Sequence, residues 1–326
     1  MDDLKVAIVL PVFNVSDYLR ECLNSILAQE YRNFILIAVN DGSTDDSLDI
    51  LESYAEKDKR IIILNQNNLG ISSARNRALE LIETRSDIDC ISFVDSDDRL
   101  DRRFLSCHVS GIVREGADVS VCGYISNSVK DKGKEKIFYS QKIFDQKEFI
   151  KLIYRVSGWE RVHGGGGMVW KQVYKASIIK GLRFIVDRNF VEDEIFNIQV
   201  AKIAKKYIYI PENLYFYRCV SSSLTHHEQF QIRLMQGRKR CYELGLTLPS
   251  ELKLLILAGF IEIATSLVKE GQDINDISEY KEESRRANKL GILKDRTYKR
   301  YWFYCHFPRL TLLVFKLRKV FKKAKA

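Results

Sequence analysis

The amino-acid sequence predicts an α/β fold in which a mostly parallel sheet carries helices on both faces. Strand-like and helix-like segments alternate through the first hundred residues. The strand-like segments are continuous apolar runs, as expected of parallel strands that are buried on both faces. Polar clusters follow these runs, and ligands bind at the carboxyl ends of the strands in such sheets. The sequence therefore predicts a polar cleft at one edge of the sheet.

The predicted elements follow one another in a regular order. The first strand is the run KVAIVLPVF, which we expect to stop at Pro11. An amphipathic helix follows, with apolar residues at helical spacing: Leu19, Cys22, Leu23, Ile26 and Leu27. Two further strand–helix pairs are FILIAVNDGS with DDSLDILESYAEKD, and RIIILNQNNLG with SSARNRALELI. The fourth strand, CISFVDSDD, completes an alternation that is typical of a parallel sheet.

Beyond the fourth strand the pattern is first mixed and then helical. VSVCGY and YIYIPENLYFYR are strand candidates, whereas ELKLLILAGFIEIATSLVKE has helical character. We therefore predict an α/β domain over residues 1–220, a C-terminal helical region over residues 221–295 and a basic tail over residues 296–326.

The composition excludes several classes of protein. The chain has 326 residues, of which 46% are hydrophobic and 29% charged, as is usual for a globular protein. Its seven cysteines form no CxxC pair, which favours reduced thiols over disulfides or zinc sites. The N-terminus is acidic before it is apolar, unlike a secretory signal, and no apolar run reaches the roughly 18 to 20 residues of a membrane-spanning helix. We expect a soluble or membrane-surface protein.

The positive charge is concentrated in one segment. The net charge is +9, yet residues 296–326 contain ten Lys or Arg and no acid. The rest of the chain is therefore close to neutral, with a net charge of −1.

The segment FVDSDD crowds three acids behind an apolar strand. In an extended backbone Asp95 and Asp97 point the same way, because positions i and i+2 share a face. Carboxylates without softer ligands suit Mg²⁺ or Mn²⁺, which commonly bridge to phosphates. The alternative is a solvated acidic turn that starts the next helix, with Asp98 as its cap.

Four segments together resemble a known family. VAIVLPVFNVSDYLRECLNSILAQEY, VNDGSTDDS, NNLGISSARNRAL and FVDSDD have the order and spacing seen in family 2 glycosyltransferases of the bacterial surface-polysaccharide type. The resemblance is dense over about the first 105 residues and resumes at GGGGMVWKQVYK, FVEDEIFN and YFYRCVSSSLTH. It implies a GT-A, Rossmann-like fold, so that residues 1–220 would be the nucleotide-sugar-binding and catalytic domain.

The resemblance assigns residues to the nucleotide sugar. Pro11, Val12 and Phe13 would line the base pocket, and Asp41 would accept a hydrogen bond from the base. Asn68, Gly70 and Arg75, in or behind the segment NNLGIS, would belong to the same site, with Arg75 reaching the nucleotide or its diphosphate. Without the resemblance, Pro11 would be interpreted as the residue that ends a strand and Asp41 as an acid in a turn. Arg75 would be interpreted as a solvent-exposed arginine on a helix.

The resemblance also implies a metal ion. Asp95 would contact the ribose or the metal, Ser96 would lie within the nucleotide site and Asp97 would ligate Mn²⁺ or Mg²⁺ directly. The ion would neutralise the diphosphate as it leaves. His226 or His227 would complete the metal site, and the alternative for these histidines is an exposed polar pair.

Family members of this type invert the anomeric centre with the help of a carboxylate base. The matching pair is Glu192–Asp193, and we predict Asp193 as the base that takes the proton of the acceptor hydroxyl. A third acid, Glu194, follows directly and leaves the register open between the three. Without the resemblance, the same acids would be an ordinary acidic N-terminus of a helix.

Two neighbouring features have less definite interpretations. The four glycines in HGGGGMVWK indicate a loop that lets the backbone approach the donor or the acceptor, or a plain surface loop. Trp170 is expected either to stack on a sugar or to lie in the core.

The tail interleaves aromatic and basic residues and has one apolar helical face after Pro308: Leu310, Leu313, Val314, Leu317, Val320 and Phe321. This pattern is typical of an interfacial helix on an anionic membrane surface. A helix packed on the body with a frayed basic end is the alternative, and a nucleic-acid arm would not need the apolar face.

Together these features predict an inverting, metal-dependent glycosyltransferase. Its donor would be a nucleotide diphosphate sugar, most simply UDP-linked, and its saccharide acceptor would be lipid-linked, at the cytoplasmic face of the cell membrane. No nucleic-acid partner is expected. The alternatives are a metal-dependent nucleotidyltransferase, which would release pyrophosphate, and a non-catalytic membrane-bound sugar-binding scaffold, which would need none of the acids.

Overall fold

The computed structural model describes residues 4–127, 141–154, 167–186, 191–219, 230–270, 274 and 277–323. The chain divides into two compact units. The first comprises Met1–Arg155, Trp159–Asp187 and Glu192–Ser221, and the second comprises Val156–Gly158, Arg188–Val191 and Ser222–Ala326. The predicted three-part division at residues 220 and 295 stays a prediction.

All the strands in the described part of the chain belong to one sheet in the first unit. They are β1 (Val6–Val12), β2 (Phe34–Asp41), β3 (Ile61–Gln66), β4 (Cys90–Phe93), β5 (Arg99–Leu100), β6 (Val119–Ser126), β7 (Lys142–Asp145), β8 (Gln172–Lys175) and β9 (Lys206–Tyr217). Every residue of β1 and β2 is buried, without the alternation of a half-exposed strand, because helices cover both faces of the sheet.

The sheet has the order β3-β2-β1-β4-β8-β6-β9-β5, and β7 also pairs with β9. The strands β3, β2, β1 and β4 are parallel, as the sequence predicts. From β8 onward the pairing is mixed, since β8 runs antiparallel to β4 and β6 whereas β6 and β9 are parallel. The α/β class is therefore confirmed, but only the first four strands form the continuous parallel sheet.

The helices of the first unit connect these strands. They are α1 (Ser16–Leu27), α2 (Ser47–Ala55), α3 (Ile71–Glu83), α4 (Phe104–Glu115), α5 (Gln146–Tyr154), α6 (Ala176–Ile179) and α7 (Glu192–Ala201). The apolar stripe predicted for the first of them is its packed face, because Leu19, Cys22, Leu23 and Ile26 are fully buried.

The second unit is helical in its described part. It contains α8 (Phe230–Leu244), α9 (Ser250–Lys269), α10 (Lys281–Lys289), α11 (Asp295–His306) and α12 (Pro308–Lys323), with short 3₁₀ turns at Gly245–Thr247 and Ile277–Tyr280. Pro308 separates the last two helices, because proline starts a helix readily but cannot continue one. Among the described helices, none combines the length and the apolar character needed to span a bilayer.

The parallel strands bring their carboxyl ends to one edge of the sheet. β1 ends at Val12, one residue past the predicted stop at Pro11, and is paired with Asn40 of β2 at that point. Asp41 and Gln66, the last residues of β2 and β3, are paired with each other. β4 ends at Phe93, so that FVDSDD begins inside the sheet and leaves it at this edge.

An aromatic cluster supports the end of β4. The Phe93 ring meets the rings of Tyr174, Phe184 and Phe196 edge-on, with centroids 6.0, 5.1 and 5.6 Å away. Phe184 and Phe196 stack on each other at 4.1 Å. Phe93 is fully buried, so the strand that leads into the acidic segment is fixed by packing from three separate parts of the chain.

We expect Phe93→Ala to lower the free energy of unfolding by about 3–5 kcal/mol, because it removes a buried ring from this cluster and leaves a cavity. Phe13→Ala is the matched control, since that ring is 45% exposed and its loss should change stability by less than about 0.5 kcal/mol. Urea unfolding followed by circular dichroism measures both. Equal effects of the two substitutions would show that the cluster does not support the strand.

Candidate active site

The loops that follow β1, β2 and β3 are joined to one another at the carboxyl edge of the sheet. The Asn14 N–H donates to Ser43 Oγ at 3.2 Å, and Asn14 Oδ1 accepts from the Thr44 N–H at 2.8 Å. Gly42 has a φ of 72°, and a Cβ there would lie 2.8 Å from the backbone nitrogen of Asn68. Glycine is therefore required at this position both by the backbone conformation and by the approach of the next loop.

The residues predicted for the base pocket lie at the start of these loops. Pro11 and Val12 are buried at the end of β1, whereas Phe13 is one of the exposed aromatic side chains of the first unit. Asn68 and Gly70 are exposed in the loop that follows β3. The structure thus brings the predicted nucleotide residues to one edge, and their contacts with a nucleotide stay predictions.

Asp41 anchors the loop that follows β3. Its Oδ1 accepts from the Leu69 N–H at 2.9 Å and from Gln66 Nε2 at 2.7 Å, and its Oδ2 accepts from the Gly70 N–H at 2.8 Å. The side chain is almost fully buried. Three hydrogen bonds within the protein therefore engage the carboxylate that we predicted to contact the base, and that contact stays a prediction.

The DSD turn, residues 95–97, follows β4 and is half-buried. Burial, with a smaller contribution from the Asp95 carboxylate, raises the pKa of Asp97 to about 6. Among the described residues, no other side chain forms a hydrogen bond or an ion pair with the Asp97 carboxylate. The charge of Arg218 offsets this rise only in part, so the turn holds one acid that has no directly paired side chain among the described residues.

The third acid of the segment has a different function. Asp98 is buried, and its carboxylate accepts hydrogen bonds from the Tyr215 hydroxyl and the Arg218 N–H, both at 2.7 Å. The Tyr215 hydroxyl also accepts from the Asp95 N–H at 3.2 Å, and Arg218 Nε donates to the carbonyl of Asp97 at 2.8 Å. Burial and, less strongly, Asp95 raise the pKa of Asp98. Asp98 therefore fixes the DSD turn to the end of β9 and is not a helix cap.

Arg75 on α3 connects the DSD turn to α7. Its Nη2 donates to Asp95 Oδ1 at 2.9 Å and its Nη1 donates to Asp193 Oδ1 at 2.7 Å, while Glu192 Oε1 lies 3.8 Å from Nη1. The side chain is only 1% exposed, and its guanidinium lies over the Phe184 ring at 5.0 Å. The structure gives Arg75 two carboxylate partners in place of the solvated position that the helix alone would suggest. Its contact with a nucleotide stays a prediction.

Burial and charge oppose each other around Arg75. Burial lowers the pKa of its guanidinium, but the carboxylates of Asp193 and Asp95 more than offset this effect, so that the pKa lies above its usual value. For Asp193 the balance is the reverse, because burial raises its pKa although Arg75 lowers it. Burial, followed by the Asp193 charge, raises the pKa of Glu192 to about 7. One buried cation thus neutralises a group of acids that would otherwise repel one another.

Asp193 is held on both of its oxygens. Its Oδ1 accepts from Arg75, and its Oδ2 accepts from the Val169 N–H at 3.1 Å. Val169 belongs to the segment behind the glycine run, and this segment is tied to α7 again where Asn197 Nδ2 donates to the carbonyl of Gly167 at 2.9 Å. The predicted base therefore has a fixed orientation. Each carboxylate oxygen has a second lone pair, which leaves room for one further donor.

The oxygen donors of the DSD turn fit a divalent cation of the Mg²⁺ or Mn²⁺ kind. Asp97 offers a half-buried carboxylate without a directly paired side chain among the described residues, and burial raises its pKa because it disfavours the charged form. In the described part of the chain, no three His, Cys, Asp or Glu side chains are grouped so as to hold an ion by themselves. Mg²⁺ is usually held by one or two carboxylates together with substrate phosphates, so this donor set is sufficient.

Some predicted features lie outside the described residues. They are His226, His227 and the first three glycines of the run, Gly164–Gly166. Trp170 is described, and the structure decides between its two interpretations, because the side chain is 4% exposed and stacks on Tyr215 at 4.3 Å. Trp170 is a core residue and offers no face to a sugar.

Sequence reasoning missed the residues that hold the predicted ones in place. The roles of Tyr215, Phe184 and Val169 depend on contacts between segments far apart in the chain. Tyr215 and Val169 had a signal, because they lie in the segments YFYRCVSSSLTH and GGGGMVWKQVYK that carry the family resemblance, whereas Phe184 had none.

The comparison with protein families gives a match to the glycosyl transferase family 2 model over residues 7–172, just over half of the chain. The curated glycosyltransferase GlyA of Streptococcus pneumoniae is 31% identical over 302 residues, which are 89% of this chain and 42% of GlyA. The chain therefore spans less than half the length of this relative.

Two solved structures share the fold. The crystal structure of residues 1–349 of Staphylococcus aureus TarS superposes with a TM-score of 0.66 at 20% identity, over 96% of this chain and 89% of that one. TarS has also been solved in complex with UDP-GlcNAc and with UDP. The mannosyltransferase PcManGT from Pyrobaculum calidifontis, in complex with GDP-Man and Mn²⁺, gives a TM-score of 0.54 at 12% identity, over 94% of this chain and 88% of that one.

We expect Arg75→Met to lower the free energy of unfolding by about 3–5 kcal/mol, since it keeps the bulk of the side chain but leaves buried carboxylates unpaired. Adding Asp193→Asn should restore part of this loss, because the double variant contains one buried charge fewer. Chemical denaturation of the two single variants and the double variant measures the coupling energy. Strictly additive losses would show that the Arg75–Asp193 pair does not act as a unit.

Proposed function

The chain belongs to glycosyl transferase family 2, and we propose that it transfers a sugar from a nucleotide diphosphate sugar to a saccharide acceptor with inversion of the anomeric carbon. The observation that carries this proposal is the junction made by Arg75, which places the DSD turn beside Asp193 at the carboxyl edge of the parallel strands. The donor-side Asp95 and the candidate base Asp193 thus bind the two terminal nitrogens of one guanidinium.

The proposed donor is a UDP-linked hexose or N-acetylhexosamine. The fold shared with TarS, which has been solved with UDP-GlcNAc and with UDP, supports this choice. Pro11, Val12 and the exposed ring of Phe13 would contact the base, and Asp41 would accept its hydrogen bond, at the edge where the first three loops meet. Arg75 would reach the nucleotide or its diphosphate.

The proposed cofactor is Mn²⁺ or Mg²⁺. Asp97 would hold the ion together with Asp95, and His226 is proposed as a further ligand. When bound, the ion supplies positive charge that stabilises the diphosphate leaving group. Tyr215 and Arg218 keep the DSD turn in place for this role through their hydrogen bonds to Asp98.

Asp193 is the proposed general base. The Val169 N–H and the Arg75 guanidinium orient its carboxylate, and each of its oxygens keeps a lone pair that could accept the proton of the acceptor hydroxyl. Burial raises its pKa and so makes it a stronger base than an exposed aspartate, whereas Arg75 keeps it ionised before the reaction. The proton of the acceptor hydroxyl would move to Asp193 as that oxygen forms its bond to the anomeric carbon, while the bond from this carbon to the diphosphate oxygen breaks and the nucleoside diphosphate leaves.

The proposed acceptor is a saccharide carried on a lipid, in the synthesis of a surface polysaccharide or glycoconjugate at the inner face of the cell membrane. The basic segment of residues 296–326 supports this location, because ten cationic residues without an acid are attracted to anionic lipid headgroups. We propose that this segment attaches the enzyme peripherally to that surface.

We expect Asp193→Asn to lower turnover by about 10²- to 10⁴-fold, the usual contribution of a general base, while donor affinity changes by less than about threefold. Glu194→Gln is the matched control from the neighbouring position and should keep most of the activity. Release of UDP in the presence of an acceptor measures turnover, and calorimetric titration with the donor measures affinity. A large loss in Glu194→Gln with an active Asp193→Asn would show that the base has been assigned to the wrong acid.

Nucleotide binding is tested separately by thermal unfolding with UDP, GDP, CDP or dTDP, each with Mn²⁺ or with EDTA. At 100 times Kd, we expect UDP with Mn²⁺ to raise Tm by about 5 °C, because a ligand that binds only the native state stabilises it. Asp97→Ala should lose the shift, and Asp49→Ala, an exposed acid on α2, should keep it. A shift of equal size in EDTA would contradict the metal dependence, and a shift with another nucleotide alone would contradict the UDP assignment.

A further inference from the structure

Helix α11 has one face that is fixed within the second unit. The Tyr301 hydroxyl donates to the carbonyl of Ile277 at 2.6 Å. The Tyr304 hydroxyl donates to the carbonyl of Ile274 and accepts from its N–H, both at 2.8 Å. Both rings are buried. The rotation of α11 about its axis is therefore set, and so is the face that it turns to solvent.

The opposite face of α11 and the start of α12 are apolar and exposed. Of the twelve large apolar side chains that are exposed in the described part of the chain, six lie within residues 302–314. We call these six the apolar patch: Trp302, Phe303, Phe307, Leu310, Leu313 and Val314. Exposed apolar residues are normally scattered singly over a protein surface. Their concentration within thirteen residues therefore indicates a binding surface.

Cationic residues border the apolar patch. Lys299 and Arg300 line an apolar cavity of about 370 Å³ whose other walls include Phe303 and Val314. Arg309 is exposed at the start of α12. Residues 296–326 contain no acid.

The basic border continues onto α10. Lys281 and Arg285 line a second cavity of about 370 Å³, which shares Trp302 with the apolar patch and also contains Glu282. Neither Lys281 nor Arg285 forms an ion pair with any other residue in the part of the chain that the structure describes. A polar, mainly cationic cavity thus lies directly beside an apolar one, as the headgroup and the chain of an anionic lipid would require.

We infer that the apolar patch and its basic border dock on the surface of an anionic lipid bilayer, with the aromatic rings inserted at the level of the headgroups. This inference rests on the proposed function, which places the enzyme at a membrane, and it names the contact surface. It also extends the single-helix interface expected from the sequence, because α11 contributes Trp302, Phe303 and Phe307. The side chains of Leu317, Val320 and Phe321 on α12 lie outside the described part of the structure.

Charge complementarity favours the bilayer over two other partners. A second copy of the chain would place one basic border against another, which is unfavourable for like charges. A nucleic acid would satisfy the cations but would leave Leu310, Leu313 and Val314 without an apolar environment. An anionic bilayer satisfies both the charge and the apolar surface.

The test is co-flotation of the full chain with vesicles of phosphatidylcholine alone and of phosphatidylcholine mixed with phosphatidylglycerol. We expect binding only to the mixed vesicles.

Trp302→Ser with Leu313→Ser should weaken this binding at least about tenfold. Arg300→Gln with Arg309→Gln should weaken it about fivefold for each charge removed, and high salt should imitate that effect. Leu313→Ser alone, at a 53% exposed position, repeats the apolar test with little risk to folding.

Matched controls change the same chemistry elsewhere. Leu290→Ser with Ile203→Ser removes two exposed apolar side chains outside the patch, and Lys57→Gln with Lys59→Gln removes two exposed charges of the first unit. Both should bind like the wild type.

Several results would overturn the inference. They are an absence of binding to both vesicle types, equal binding to neutral vesicles, and patch variants that bind like the wild type. A concentration-dependent dimer in sedimentation velocity that the patch variants abolish, without vesicle binding, would assign the surface to a second copy.

The thermal shift with UDP and Mn²⁺, measured on the same samples, separates the two proposals. A chain that binds the nucleotide but no vesicles overturns the docking surface alone. A chain that binds vesicles but no nucleotide overturns the proposed function alone.

Discussion

The arrangement of the candidate active site depends on one buried cation. Arg75 is surrounded by Asp95, Glu192 and Asp193, and it pairs directly with the first and the last of these. Buried carboxylates of like charge would separate without it, and burying the guanidinium without them would be costly as well. The pairing therefore fixes the distance between the strand that ends in the DSD turn and the helix that starts with the candidate base. The protein's own charges thus contribute to the geometry of the cleft.

The acids at this edge divide into two kinds. Asp41 and Asp98 are buried and accept hydrogen bonds from within the protein on both of their oxygens, so they hold loops in place. Asp97 is half-buried and has no directly paired side chain among the described residues, which leaves it available to a cation. Aspartate thus serves here both to hold loops in place and as a candidate ligand, and the environment of each side chain decides between the two roles. Several acids can lie close together at this edge because Asp41 and Asp98 each accept hydrogen bonds from donors of their own.

The second unit follows a comparable division between a fixed face and a free face. Tyr301 and Tyr304 satisfy their hydroxyls inside the unit, and this fixes the direction of the aromatic rings on the other side of α11. Pro308 then redirects the chain, so that apolar residues of two helices contribute to one surface. A single amphipathic helix would offer a narrower strip. The helix break enlarges the surface without requiring a longer apolar sequence.

The sequence by itself determined the α/β class, the positions of the first four strands and their helices, and the edge at which the polar residues gather. These follow from local patterns, such as the continuous apolar runs of β1 and β2, which depend only on neighbouring residues. It did not determine the mixed pairing beyond β4, the burial of Trp170 or the partners of Asp41, Arg75 and Asp98. Each of these depends on segments far apart in the chain, as when Tyr215 reaches Asp98 or Val169 reaches Asp193. Only the tertiary structure decided them, because a carboxylate's role is set by the donors and the burial around it and not by its own position in the sequence.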